Sequence, residues 1–489
     1  MKKTWKEHLA VLCILSALAG AVSSCGEAGT SVTPDNTDQI PDNSDSEAVT
    51  EAVPEDLYHD DLGDLDFGGA DFRIWTMENF NVISYIDVAQ ETGDVFDDSL
   101  YKRNRKIEDR ANIKIVETIN TDSAAPVRQT IMAGDDAFDV ANLRCPDALT
   151  FYSENLIYNI SEVPNIDLTK PYWAQKLNKS ITIGGSQYTA IGSFDISVLD
   201  LTYALAFNKQ MVTDFDFESP YKLVADGKWT IDKMNDMMME VTNDMNGDGQ
   251  MDAEDRWGYF ANPKQVLPDF WIAAGEMSIL KDEKDNPYIN RSSDRFVSVF
   301  DRVFEIMWDN GNWLTKCDTQ HDVPDDTFQY FQQNRSLFMD TSLYFLGQMR
   351  DMQTDFGVLP YPKYDEAQSE YYSRVSYYWA NSVPVTNPNL ERTGAMLEML
   401  NCESANIVVP AYYDIALKTK YSRDEESAAM LDLIIENRVV DIGDTILCGQ
   451  IRDGFIAGMF STNKRDLASR AEKRQKAIQK EFDKMPVGQ

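Results

Sequence analysis

Asp71-Phe72-Arg73-Ile74-Trp75 opens the stretch that decides the fold, and Phe138-Asp139-Val140-Ala141-Asn142-Leu143 closes it. Between them, Gly93 to Arg110 is charged and amphipathic at helical spacing, Ile113 to Ile119 alternates as a strand, and Val127 to Met132 forms a short helix. The order β-α-β-α-β predicts a parallel sheet with ligand contacts at the carboxyl ends of its strands. Downstream, Ser180 to Gly192 reads as a hairpin around Gly184-Gly185, and Thr202 to Asn208 as a further strand. The pattern then turns helical over Ile231–Thr242, Val297–Met307, Leu390–Leu400 and Ser427–Val440. No internal repeat is visible.

Upstream of the sheet the chain changes character twice. Lys2, Lys3 and Lys6 precede an apolar run from Leu9 to Val22, shorter than the ~20 residues of a spanning helix. It reads as a signal peptide over residues 1–24. The run ends in Val22-Ser23-Ser24-Cys25, which resembles the bacterial lipobox, so Cys25 is the expected lipidation site; an ordinary secretory signal is the alternative. Residues 25–61 follow, with eleven acids, no Lys or Arg, and repeated Ser, Thr, Asn and Pro. Such a segment has nothing to bury and is expected to be a disordered tether. Signal, cysteine and tether predict a protein anchored to the outer face of the cell membrane by lipid alone.

The 489 residues carry 45 Lys+Arg against 81 Asp+Glu, a formal charge of −36. That excess repels nucleic-acid phosphates and anionic lipid. Only His59 and His321 lie beyond the first 24 residues, which leaves little for a His-rich metal centre or His-based catalysis. Cys145, Cys317, Cys402 and Cys448 are far apart with no C-x-x-C, so zinc and thioredoxin-like sites are disfavoured. Free thiols are the preferred reading, with disulfides left open. From Lys464 to Lys484, eight bases accompany four acids, and Leu467, Ala471, Ile478 and Phe482 make one helical stripe. The charges there read as a solvated face.

One motif stands on its spacing. Asp244, Asn246, Asp248, Gly249, Gln250, Asp252 and Asp255 match D-x-[DN]-x-[DN]-G with acids at loop positions 9 and 12. Oxygens from Asp244, Asn246, Asp248, Gln250, Asp252 and Asp255 can wrap one calcium ion, and Gly249 permits the turn. Trp257-Gly258-Tyr259-Phe260 reads as a strand, so the loop lacks a second EF-hand helix. Its expected role is structural; an acidic turn without metal is the alternative.

The order of parts resembles the carbohydrate-type extracellular solute-binding proteins of ABC importers, the family that includes maltose-binding protein. Phe138-Asp139-Val140, with Asn142 and Arg144, resembles the family's third strand and cleft-facing turn. Tyr203 to Lys209 resembles the first crossing between lobes, Asp355 to Pro362 the second, and Ser382-Val383-Pro384-Val385 the third. Asn334-Arg335-Ser336-Leu337 departs from the Gly-Lys/Ala-Met usual before Phe338-Met339.

The resemblance implies an α/β, two-lobed periplasmic-binding-protein-like fold of type II, with the lobes joined by a multi-strand hinge. Lobe 1 would take 65–208 and 360–384, and lobe 2 would take 209–359 and 385–489. It implies a monomeric, non-enzymatic receptor that captures a sugar or oligosaccharide and delivers it to separate ABC permease subunits. Peptide or another small polar solute stays open. By alignment of parts, ligand residues would be Trp75, Glu78, Asn142, Arg144 and Asp195 from lobe 1, with Trp271, Tyr344, Tyr378 and Trp379 from lobe 2 and the hinge. Each aromatic has core packing as its alternative, and Trp229, just before a helix N-cap, is expected to pack. A tethered glycan hydrolase needs only two opposed carboxylates, which 81 acids supply by chance. No G-x-S-x-G, H-E-x-x-H or phosphate-binding glycine loop occurs. That hydrolase and a non-transport glycan-binding or adhesion module are the rival readings.

Overall fold

The computed structural model describes residues 56–77, 86–120, 123–291, 293–313, 325–349, 352–413 and 424–483. The signal peptide, Cys25, most of the tether, Glu78, Cys317 and His321 lie outside them. Asp56–Gln489 forms one compact unit. Its strands are β1 (Ala70–Met77), β2 (Ile113–Asn120), β3 (Val140–Arg144), β4 (Tyr203–Asn208), β5 (Trp257–Phe260), β6 (Ile279–Lys281), β7 (Pro287–Ile289), β8 (Ser336–Ser342), β9 (Phe356–Leu359), β10 (Ser373–Arg374), β11 (Trp379–Ser382) and β12 (Arg438–Val439). Four-stranded sheets run β11-β3-β1-β2 and β5-β8-β4-β9.

The first sheet is the one read from Asp71 to Leu143. β1 runs parallel to β2 and to β3, with Thr76 opposite Asn142. Helix α1 (Val95–Ala111) connects β1 to β2. Asp94 caps it by accepting from the amides of Phe96 and Asp97, and Asn112 ends it in the left-handed region. Its Ile107 and Ala111 bury against Phe72, Ile74, Ile113, Ile115 and Val140. The helix Leu390–Glu403 joins the same core through Met396, Leu397 and Leu400, although it was expected in the second lobe. Its Gly394 approaches Pro164 so closely that an added Cβ would meet that carbonyl oxygen at 1.7 Å.

The second sheet takes in the strand expected at the end of lobe 1. β4, expected to close lobe 1, hydrogen-bonds antiparallel to β8 on one side and β9 on the other. Its alternation separates two faces. Ala204 and Ala206 pack with Phe260, Met339 and Val358. Leu205 and Phe207 pack in the cluster that contains Trp229 and Phe338. Trp229 packs as expected: it is fully buried, and its indole donates to the Pro360 carbonyl at 3.0 Å.

The sheets are tied where the chain crosses between them. Thr202, just before β4, bridges Val375, and the Ser376 amide donates to the Leu201 carbonyl at 3.0 Å. From there residues 377–382 continue into β11, antiparallel to β3 in the first sheet.

Three local readings change. The hairpin expected over Ser180–Gly192 is confined to the turn at Gly184-Gly185, where Ile183 and Ser186 form an antiparallel bridge, and its first residues end a helix, Gln175–Ile181. The helix expected to reach Val440 ends at Glu436, because β12 leaves it to pair with β10. The tether also ends earlier than Asp61. Tyr58 exchanges backbone hydrogen bonds with the Asn406 side chain at 3.0 Å, and Asp60 pairs with Arg110 at 2.5 Å.

Cys145, Cys402 and Cys448 are free and buried. Among the described residues no helix is long and apolar enough to cross a membrane.

Candidate ligand-binding site

The register of the first sheet gathers several of the expected ligand residues at the carboxyl ends of β1 and β3. Trp75 sits opposite Ala141, Thr76 opposite Asn142, and Trp379 opposite Arg144. Trp75 is half-buried and meets Phe138 edge-on, with centroids 4.9 Å apart. Its indole N–H and the Thr76 hydroxyl are buried without a hydrogen-bond partner. Asn142 donates to the Asn381 side chain at 2.9 Å, which ties β3 to β11. Arg144 pairs with Asp147 at 2.8 Å on the first turn of the helix Cys145–Ser153, which sets its planar guanidinium at the strand end.

The crossing supplies the next group. Tyr377 and Trp379 contact edge to face at 5.4 Å, and the Trp379 amide donates to Ser197 Oγ at 3.0 Å. Tyr378, between them in sequence, turns to the opposite side and is fully buried in the core, so it is not a ligand-facing residue. Asp195 lines a cavity of about 160 Å³ with Tyr172, Ser193 and Arg438. One Asp195 oxygen accepts from the Ser197 amide and hydroxyl, while the other is buried and unpartnered. Burial pushes its carboxyl up to about 7, against the pull of the Ser197 bonds.

On the second sheet the expected aromatics divide. Trp271 belongs to the core: it is 2% exposed, its indole donates to Asp441 Oδ2 at 3.0 Å, and it packs on Phe296. The reason is its place in the helix Pro263–Ala273, whose neighbouring residues from Pro263 to Ala273 are nearly all buried. Tyr344 is half-buried, just past the carboxyl end of β8.

Sequence reading missed the polar residues of this side. Gln265 and Asp269, one turn apart on the helix after β5, each present a buried acceptor oxygen without a partner, as do the hydroxyls of Ser342 and Ser373. Asp269 Oδ1 accepts from Arg374 at 3.0 Å, and Arg374 forms a two-bond fork with Asp444 at 2.6 and 2.8 Å. Arg374 is also stacked over the Tyr203 ring at 4.6 Å. Burial raises the Asp269 carboxyl to about 7 and that of Asp340 well above the usual range. The available signal was a strand, Trp257–Phe260, running into Asn262-Pro263 as N-cap and first turn, with two polar residues four apart behind it.

Buried polar groups are normally satisfied. Orphaned donors and acceptors stand at the ends of β1 and β8, on the helix after β5 and at the crossing, and others lie in the core at Tyr188, Ser278 and Tyr378. The half-buried rings of Trp75 and Tyr377 accompany the former, while Trp379, in contact with Tyr377, is 6% exposed.

The acidic loop is closed by its own backbone. Asp244 accepts from the amides of Gly247 and Gly249 at 2.7 and 2.8 Å, and Asp255 from those of Met245 and Asp252, both at 2.8 Å. Loop positions 2 and 12 are thereby linked, and each oxygen keeps further lone-pair capacity. Its donors are all oxygen, the chemistry a hard cation takes. Among the described residues no three His, Cys, Asp or Glu side chains are gathered into a ready metal site. As expected, a strand and not a helix follows it.

No family model matches the sequence, and no curated protein matches it. Solved structures do. The sugar-binding protein MalE from Xanthomonas citri superposes with a TM-score of 0.58 at 12% identity, covering 85% of this chain and 98% of its own. An ABC substrate-binding protein from Listeria monocytogenes in complex with cycloalternan gives 0.54 at 12%, covering 85% and 99%. The MalE domain from Bdellovibrio bacteriovorus bound to maltotriose gives 0.53 at 14%, covering 84% and 100%. The fold is that of the ABC substrate-binding proteins. In this chain the paired segments at Thr202 and Val375 lie where it passes between its two four-stranded sheets.

Proposed function

We propose that this protein is a receptor that captures a sugar or oligosaccharide between its two lobes and delivers it to an ABC importer permease. The observation that carries this reading is the set of orphaned buried polar atoms at the strand ends beside Trp75 and Trp379. Sugars present flat C–H faces that stack on aromatic rings and hydroxyls that satisfy such donors and acceptors. The solved structures of like fold include proteins bound to cycloalternan and maltotriose, which supports the ligand class. Trp75, Asn142, Arg144, Asp195, Tyr344 and Trp379 are the assigned ligand residues, joined by Gln265 and Asp269. Ligand contacting both lobes favours the closed form, which needs differential affinity and no bond-making chemistry.

The test is a thermal-shift screen of the purified chain against maltotriose, longer maltodextrins, cycloalternan and tagatose. A ligand at 100 times its Kd adds about 2.7 kcal/mol, a clear rise in midpoint. A hit recovered chemically unchanged supports the receptor; cleaved sugar supports a hydrolase; no shift with any sugar overturns the carbohydrate assignment.

Export by residues 1–24 and lipid attachment at Cys25 belong to the same proposal. Replacing Cys25 by Ala should release the protein from the membrane fraction. Calcium at Asp244, Asn246, Asp248, Gln250, Asp252 and Asp255 is proposed as a structural clamp. Calcium should then raise the melting midpoint relative to a chelator, and Asp244→Ala should abolish the difference.

A further inference from the structure

We propose a second ligand site, at the C-terminal end of the chain, that binds a small phosphate compound of more than one negative charge. The helix Leu467–Phe482 and the segment before it enclose a cavity of about 370 Å³. Lys464, Arg470, Lys473 and Arg474 line it, and Asp466 is the one carboxylate among its lining residues. In a chain with 81 acids and 45 bases, four cations around one cavity reverse the general balance.

The sequence stripe explains how they converge. Leu467, Ala471, Ile478 and Phe482 are buried, which fixes the rotation of the helix. Positions 470, 473 and 474 then share a face, at i, i+3 and i+4. Two of the cations are held in place. Arg474 donates to the Gly454 carbonyl at 2.7 Å and lies over Phe455 at 5.9 Å, and Arg470 donates to Asp466 at 2.6 Å. The ammonium groups of Lys464 and Lys473 form no ion pair among the described residues, so their charge is free for a ligand.

The opposite wall is a π-helical turn, Arg452–Ile456. Such turns recur at functional sites because the extra residue opens the helix wall. At Gly454 an added Cβ would stand 2.4 Å from the Gly449 carbonyl oxygen, so only glycine allows this turn to pack where it does.

The size and chemistry fit one class of ligand. About 300 Å³ is the lower range of small-molecule sites. Arginine forks match phosphate oxygens in pairs, lysines add point charge, and Phe455 and Met459 give an apolar floor. The overall charge of −36 does not prevent this. At physiological salt the Debye length is about 8 Å, so the local cations dominate inside the cavity.

The experiment is calorimetric titration of the full chain with inorganic pyrophosphate at low salt. Saturable binding that weakens as salt rises is expected. The Lys464→Gln, Lys473→Gln double variant changes two exposed residues and should keep the wild-type melting midpoint and sugar response. It should lower pyrophosphate affinity at least about tenfold. Arg474→Gln should weaken binding similarly, with a lower midpoint because the Gly454 contact goes. No saturable binding, or equal affinity in the double variant, overturns the site. Binding to phosphatidylglycerol vesicles without any to pyrophosphate also overturns it, since the face would then read a membrane surface.

Discussion

Trp271 and Trp75 are the same residue type placed in opposite situations. The Trp271 indole is buried with its N–H on Asp441, in a helix packed on every side. The Trp75 ring is half-exposed at a strand end, and its N–H is buried with nothing to receive it. Beside the Trp271 indole, Asp441 also accepts from the amides of Ser278 and Gly443 at 2.7 and 3.0 Å. Around the strand ends, donors and acceptors are left over. For these two tryptophans the difference lies in whether the indole N–H has a partner.

Substituting the two tryptophans breaks the comparison most directly. Trp271→Ala should cost about 3–5 kcal/mol in chemical denaturation, from the cavity and the hydrogen bond lost at Asp441. Trp75→Ala should cost markedly less stability and lower sugar affinity about tenfold or more, measured by calorimetry. Equal stability losses with unchanged binding would move Trp75 into the core.

Arg374 tests the same idea with charge. It is 1% exposed and joins Asp269 to Asp444. Removing it as Arg374→Met leaves Asp269 without a cation and Asp444 with Arg452 alone, at 3.5 Å, a loss of about 3–5 kcal/mol. A small loss would mean that those carboxylates are neutral in the native protein.

Asp195 gives a smaller and pH-dependent effect. Burial raises its folded carboxyl from 3.8 to about 7, so the folded state holds the proton more tightly than the unfolded chain. Its contribution to stability is complete below about pH 4 and is lost as pH rises to about 7. The wild type should therefore lose up to a few kcal/mol across that window relative to Asp195→Asn, in paired denaturation curves. Parallel curves would show an ordinary surface carboxylate.

Much of the architecture was legible because hydrophobic period is local. Phe72 and Ile74 alternate, Asp94 caps α1, and the Leu467–Phe482 stripe buries as its spacing requires. The carboxyl ends of β1 and β3 were legible for the same reason, and with them Trp75, Asn142 and Arg144. Trp379 was singled out from its place beside a crossing, and the structure sets it opposite Arg144. What failed was set by contacts between distant segments. β4 lies in the second sheet because β8 and β9 flank it, and no pattern within Tyr203–Asn208 says so. Tyr378 and Trp379 are neighbours in sequence, and only strand alternation against β3 decides which faces the core. Gln265 and Asp269 were missed because an orphaned acceptor is defined by what does not approach it.

The finest version of the comparison uses two serines. Ser427 is buried, hydrogen-bonds Tyr221 at 2.7 Å and accepts from the Val358 amide at 3.3 Å. Ser342 is equally buried, but its hydroxyl has no partner. Deleting a satisfied hydroxyl strands its partners, so Ser427→Ala should cost about 1–2 kcal/mol. Deleting an orphan removes a desolvation cost without stranding anything, so Ser342→Ala should leave the unliganded protein unchanged within about 0.5 kcal/mol or slightly more stable. If Ser342 meets a sugar hydroxyl, the same variant should weaken ligand binding by about 0.5–1.5 kcal/mol, a few-fold in Kd. A protein that gains stability and loses affinity from one oxygen atom would place Ser342 in the binding site. One that loses neither would place the orphan beside a buried water.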